Sequence, residues 1–169
     1  MTNPSVIDTN VLKCFFEEKV SDKEGEFTAA VTAIMTKGVV AIDEEGQAEQ
    51  EYYDCCRPPS VGLSLIDWVT LQLNNGAFRV FEMDKSVRKE LRKLGVPHKD
   101  HKWVFIAKGA GAHLIVSEHI DLFDPKAKKW SEKKKAQLRK DSGGSVAIHL
   151  RKKHGIKVCC CEGAVCSWS

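Results

Sequence analysis

The stretch Ser5-Val6-Ile7-Asp8-Thr9-Asn10-Val11-Leu12, continued to Phe15-Phe16, decides how this chain reads. A short β-branched apolar run ends in the carboxylate of Asp8, and Val11, Leu12, Phe15 and Phe16 then recur at helical spacing, so the segment reads as strand, turn, helix. Working outward, the same alternation repeats. Ala29, Ala30, Val31, Ala33 and Ile34 predict a buried helix over 27–37, with Gly38 as a left-handed residue past its end. Val39 to Ile42 reads as a second buried strand, closed by the turn Asp43-Glu44-Glu45-Gly46. A helix from Gln47 to about Cys56 is stopped by Pro58-Pro59. A further helix covers about 63–73 and ends at Asn74-Asn75-Gly76. An extended piece over 78–82 and a basic amphipathic helix over 85–94 follow. Asp100 begins a helix carrying Val104 to Ala107, with Gly109-Ala110-Gly111 loosening its end. A buried strand over 113–117, an acidic loop over 118–124, a lysine-rich run, a helix over 145–154 and a strand over 156–160 complete the reading.

Strands alternating with helices predict an α/β fold: a three-layer sandwich whose central, mostly parallel sheet of four or five strands carries helices on both faces. The chain has 169 residues, 43% of them hydrophobic and 29% charged, the profile of one globular domain rather than a disordered or collagen-like chain. The expected domain spans 1–169, with a core over about 5–124 and a basic extension over about 125–169 that packs on the sheet or completes it. Seven cysteines, several adjacent in sequence, suit reduced thiols better than disulfides. No apolar run approaches the roughly 20 residues of a bilayer span, and residues 1–10 lack the pattern of a secretory signal. The expectation is a cytoplasmic protein without a membrane partner.

The formal charge of +3 says little, but its distribution says more. Between Glu17 and Asp54 eleven acids face three lysines, whereas between Lys126 and Lys140 eight basic residues face Glu132 alone. That asymmetry points to a polyanionic partner. Lys128, Lys129, Lys133 and Lys134 surround Trp130, a mixture suited to phosphate contacts and base stacking, and Arg88 and Lys89 extend the positive surface. A solvated, charged helix is the alternative.

In a parallel α/β sheet, functional groups gather at the carboxyl ends of the strands. Asp8 closes the first strand, the strand ending at Ser117 runs into Glu118 and Asp121, Asp100 opens a helix, and Glu51 lies on the helix after the second strand. Carboxylates that meet in one pocket repel unless a cation lies between them, and hard oxygen ligands select Mg²⁺ or Mn²⁺. Each acid also has a plainer reading: Asp8 as a helix cap, Asp100 as an acid favoured by the helix dipole, the others as solvated surface. His98, Asp100 and His101 lack the spacing of a zinc set. Cys159, Cys160, Cys161 and Cys166 read as buried thiols, with a redox or metal role as the sharper alternative.

Together, Val6-Ile7-Asp8-Thr9-Asn10-Val11, Glu51-Tyr52, Asp100 ahead of Val104-Phe105-Ile106-Ala107, and Ile115-Val116-Ser117 resemble the PIN domain (PilT N-terminus type). The resemblance implies a metal-dependent nuclease of the toxin-antitoxin, defence or RNA-processing kind, acting on RNA rather than DNA. It implies that Asp8, Glu51, Asp100 and Glu118 or Asp121 hold one or two Mg²⁺ or Mn²⁺ ions, with Asn10 and Ser117 in support. Single-stranded RNA, a regulatory protein and a second copy are the partners it implies. The sequence departs from the family where Thr-x-Asp-x-Asp is usual: here Ser117-Glu118-His119-Ile120-Asp121 puts histidine at the first aspartate. That departure supports the alternative of a weak or inactive module that binds nucleic acid or protein.

Overall fold

The protein is described here by a computed structural model covering residues 3–56 and 65–168. The proline stop at Pro58-Pro59 and the expected start of the following helix near Leu63 lie outside those residues. The elements are β1 (Asn3–Ile7), α1 (Thr9–Ser21), α2 (Glu26–Lys37), β2 (Gly38–Asp43), α3 (Gln47–Cys55), α4 (Leu65–Asn74) and β3 (Phe78–Phe81). They continue with α5 (Arg88–Lys93), α6 (His101–Ala110), β4 (Leu114–Val116), α7 (Glu132–Lys140), α8 (Ser145–His154), β5 (Lys157–Cys159) and α9 (Cys161–Trp168). Short 3₁₀ turns precede α5 and α6 and cover Ile120–Leu122 and Pro125–Lys129.

The five strands form one parallel sheet in the order β3-β2-β1-β4-β5. Val6, Ile7, Val39 to Ile42 and Leu114 to Val116 are buried, as continuous apolar runs must be when helices cover both faces. Two connections run from β1 outward to β3 and two run from β3 back across to β5. Right-handed crossovers therefore place α1 to α4 on one face and α6 and α8 on the other. Against the first face, Phe15, Phe16, Trp68 and Phe78 pack as an aromatic cluster with ring centroids 5.0–5.7 Å apart.

The change of direction puts the switch point of the topology between β1 and β4, where the flanking connections diverge and leave a crevice at the carboxyl edge. Register fixes what lies there. Ile7 pairs with Val116, so Asp8 and Ser117, the next residue of each strand, come side by side, and the Asp8 amide donates to the Val116 carbonyl at 2.9 Å.

Several expectations need correction. Gly38 has φ −151°, ordinary extended backbone, and begins β2 instead of closing a helix in the left-handed region. The helix expected over 85–94 is a 3₁₀ turn at Lys85–Val87 followed by α5. α9, which packs along α2, was not anticipated. The C-terminal third completes the sheet: the Ser117 amide donates to Cys159 O at 3.0 Å, and Phe123 O accepts from the Val146 and Ala147 amides at the start of α8. Among the described residues no helix is long and apolar enough to cross a membrane.

Candidate metal centre

Asp8 is 4% exposed and is held from two sides. Its Oδ1 accepts from the Thr9 amide and its Oδ2 from the Ser117 hydroxyl, both at 2.6 Å. Ser117 Oγ in turn accepts from the His119 amide at 2.9 Å, which ties the loop after β4 to the end of β1. Burial pushes the Asp8 carboxyl up to about 6; the Ser117 hydroxyl and the nearby His119 pull against that rise, and the charge of Asp100 adds to it.

Asp100 arrives from the opposite face. It ends the 3₁₀ turn His98–Asp100 directly ahead of α6 and is buried, but its carboxylate caps no amide of that helix. Burial raises its pKa; His119 and Lys99 lower it, and the charge of Asp121 raises it again. Asp121, 1% exposed, sits in the 3₁₀ turn Ile120–Leu122. His119 Nδ1 lies 3.8 Å from Asp100 Oδ2 and 3.6 Å from Asp121 Oδ2, so an imidazole stands between two buried carboxylates.

Hydrogen bonding is incomplete in this group. Asp100 Oδ2, both Asp121 oxygens and His119 Nδ1 are buried atoms without a hydrogen-bond partner. Lys128 Nζ lies 3.0 Å from Asp121 Oδ2, an ion pair out of line for a hydrogen bond. Buried carboxylate oxygens left bare are costly unless a cation satisfies them. One donor atom each from Asp100, His119 and Asp121 falls within 4.8 Å of the others, a spacing that fits a single metal ion. Two carboxylates and an imidazole fit Mn²⁺ better than Mg²⁺, because imidazole is the softer donor.

The structure separates two expected ligands from this group. Glu51 on α3 spends both oxygens elsewhere, with Oε1 accepting from Thr9 Oγ1 at 2.7 Å and Oε2 paired with the ammonium of Lys102. Lys102 is itself buried, donates to the carbonyl of Lys99, and lies 5.0 Å over the Trp103 ring. Glu51 thus reaches the rim of the site through Thr9, as an ion pair. Glu118 turns away: its Oε1 accepts from the Cys161 amide at 2.8 Å at the start of α9, and its Oε2 lies 3.7 Å from Arg139 Nε. Asn10, expected to brace the site, takes no part in its hydrogen bonds among the described residues. Ser117 does.

Three further residues belong here that the sequence did not mark in these roles. His119 stands inside the cluster, where it was read as a loss. Lys128 reaches Asp121, and Lys102 neutralises Glu51; a lysine's reach onto a distant carboxylate leaves no local pattern. Asp43, at the end of β2, accepts from the Gln47 and Ala48 amides at 2.9 and 2.8 Å and acts as the cap of α3.

Of the expected basic surface, Lys89, Lys128, Lys129, Trp130, Lys133 and Lys134 are exposed. Arg88 is half-buried, its guanidinium 5.6 Å over the Phe105 ring. His101 Nε2 donates to the Val96 carbonyl at 2.9 Å, while Asp100 faces His119, so His98, Asp100 and His101 do not converge. None of the seven cysteines forms a disulfide. Burial pushes the Cys159 thiol up to about 12 and raises Cys160 and Cys161, which keeps them protonated and unreactive. β5 ends at Cys159 and Cys161 begins α9, so strand alternation does not relate the two.

Fold and site together define an α/β protein with a wholly parallel sheet and, at the switch point, an Asp-His-Asp cluster with both carboxylates buried, joined by Asp8. No family model, curated protein or solved structure matches the chain.

Proposed function

We propose that this chain is a PIN-like, divalent-metal-dependent nuclease that hydrolyses phosphodiester bonds in single-stranded RNA. The observation that carries the reading is the convergence of Asp8, Asp100 and Asp121 on the crevice between β1 and β4, where Asp100 Oδ2 and the two Asp121 oxygens are buried and make no hydrogen bond among the described residues. Asp100, Asp121 and His119 would hold Mn²⁺ or Mg²⁺, with Asp8 beside them. Such an ion, when bound, lowers the pKa of a coordinated water and offsets charge on the phosphate. Ser117 and Thr9 hold Asp8 in one orientation, so its carboxylate needs no reorganisation when substrate arrives. Lys128 sets the basic turn Pro125–Lys129 at the mouth of the acidic group, where exposed Lys129 and Trp130 are placed to meet a phosphate strand.

A second reading rests on one contact. The Lys128 ammonium already sits at Asp121 and supplies positive charge to the cluster without a metal. On that reading the chain binds RNA or a protein and does not cut.

The deciding experiment compares cleavage of single-stranded RNA and DNA in Mn²⁺ and in EDTA by wild type, Asp8→Asn and Asp121→Asn. The nuclease reading expects metal-dependent cleavage of RNA that falls at least about 100-fold in either variant, the scale of losing a group that acts on the reacting centre. Cleavage equal in all three discards the assignment. Salt-dependent binding without cleavage establishes the second reading.

A further inference from the structure

A separate group of metal-ligating side chains lies on the other helical layer, where α8 meets α5. Glu90 of α5 receives both histidines of α8 on a single oxygen: His149 Nε2 is 2.7 Å and His154 Nε2 is 2.9 Å from Glu90 Oε2. The imidazole centroids are 5.8 Å apart and tilted by 59°, so the rings approach Oε2 from different directions without stacking. His154 is the last residue of its helix, and Gly155 leaves in the left-handed conformation at φ 66°, which lets a histidine five residues beyond His149 swing to the same point. None of the three acts in the acidic cluster, and they lie 59 and 64 residues apart in the chain.

We propose that Glu90, His149 and His154 form a binding site for a zinc-class transition-metal ion that clips α8 onto α5. The donor set is two imidazole nitrogens and one carboxylate oxygen, the combination used with an open fourth position for water in three-ligand zinc sites. The three donor atoms lie within 4.8 Å of one another. Tetrahedral edges around Zn²⁺ with bonds near 2.0 Å are about 3.3 Å, so each nitrogen needs to part from Glu90 Oε2 by only roughly half an ångström. Partial exposure leaves an entry path: the side chains of His149, Glu90 and His154 are 29%, 27% and 10% exposed.

Lys153 is the competitor. Its ammonium lies 2.8 Å from Glu90 Oε1, the oxygen the histidines leave, and its side chain is 56% exposed. A flexible, solvated lysine can withdraw when a cation takes its place, whereas the two histidines are fixed by the helix. Hard oxygen-seeking Mg²⁺ has little claim on such a site, because two of the three donors are nitrogen.

The test titrates Zn²⁺ into the full chain while following the imidazole ring signals of His149 and His154 by ¹H–¹⁵N spectroscopy. The same titration is run on an Asp100→Asn/Asp121→Asn variant. One equivalent of Zn²⁺ should shift both rings in either protein, and Glu90→Gln should weaken that response by more than about tenfold. Zn²⁺ that leaves these rings unmoved while binding elsewhere, or a Glu90→Gln response equal to wild type, overturns the proposal. The wild-type spectrum decides even if a variant fails to fold, and the outcome is independent of nuclease activity.

Discussion

Asp8 is buried, singly charged at neutral pH, and held by one hydroxyl and one amide, which links its proton to the stability of the fold. An unfolded chain releases this proton near 3.8, whereas the folded chain keeps it until about 6. Between those values the folded state holds more protons, so stability falls as pH rises, and the full penalty, on the order of 3 kcal/mol, is present above pH 6. In EDTA, Asp8→Asn should therefore be more stable than wild type at pH 8 by about 1–3 kcal/mol, and the advantage should vanish by pH 4. Chemical denaturation across that range checks it; an advantage flat with pH would refute the linkage. Asp8, Asp100 and Asp121 were legible in the sequence because each ends a strand, opens a helix or follows a strand at a countable distance. Glu51 and Glu118 turn to other partners because a carboxylate's direction depends on what waits for it: Lys102 claims one and the amide of Cys161 the other.

At the scale of elements, Gly109 shows why a helix end can be misjudged. It reads as loosening the end of α6, and Gly111 does close that helix in the left-handed region at φ 64°. Gly109 has another task. A Cβ there would lie 1.7 Å from the backbone oxygen of Glu82, where the chain leaving β3 crosses α6 and the Asp84 amide donates to Phe105 O at 3.0 Å. Gly109→Ala must push β3's exit from α6, a rigid backbone overlap expected to cost on the order of 2–3 kcal/mol. Gly111→Ala meets open space and pays only for its backbone conformation, about 1–2 kcal/mol. Urea midpoints for the two variants test the difference, and equal losses would remove the close approach as its cause. Close approach joins residues distant in sequence and leaves no periodic trace, whereas the αL cap is local.

For the whole molecule, the segment past Asp124 is structural. Val146, Leu150, Val158, Cys159, Cys161 and Ala164 are all buried, and β5 covers the edge of β4. A chain ending at Asp124 should expose that edge and lose cooperative thermal unfolding, which calorimetry reads directly; a sharp transition near the wild-type midpoint would show residues 5–124 to be self-sufficient. Apolar periodicity was enough to establish an α/β protein with a central parallel sheet, because strands buried on both faces and helices buried on one leave different repeats in the sequence. It also placed acids at the carboxyl ends of strands. Strand order, and with it the crevice between β1 and β4, came only with the fold, as did the choice of which acids face one another and which are neutralised by lysine. Those outcomes depend on side chains separated by tens of residues, whose meeting is decided by packing and charge in three dimensions and by no local pattern.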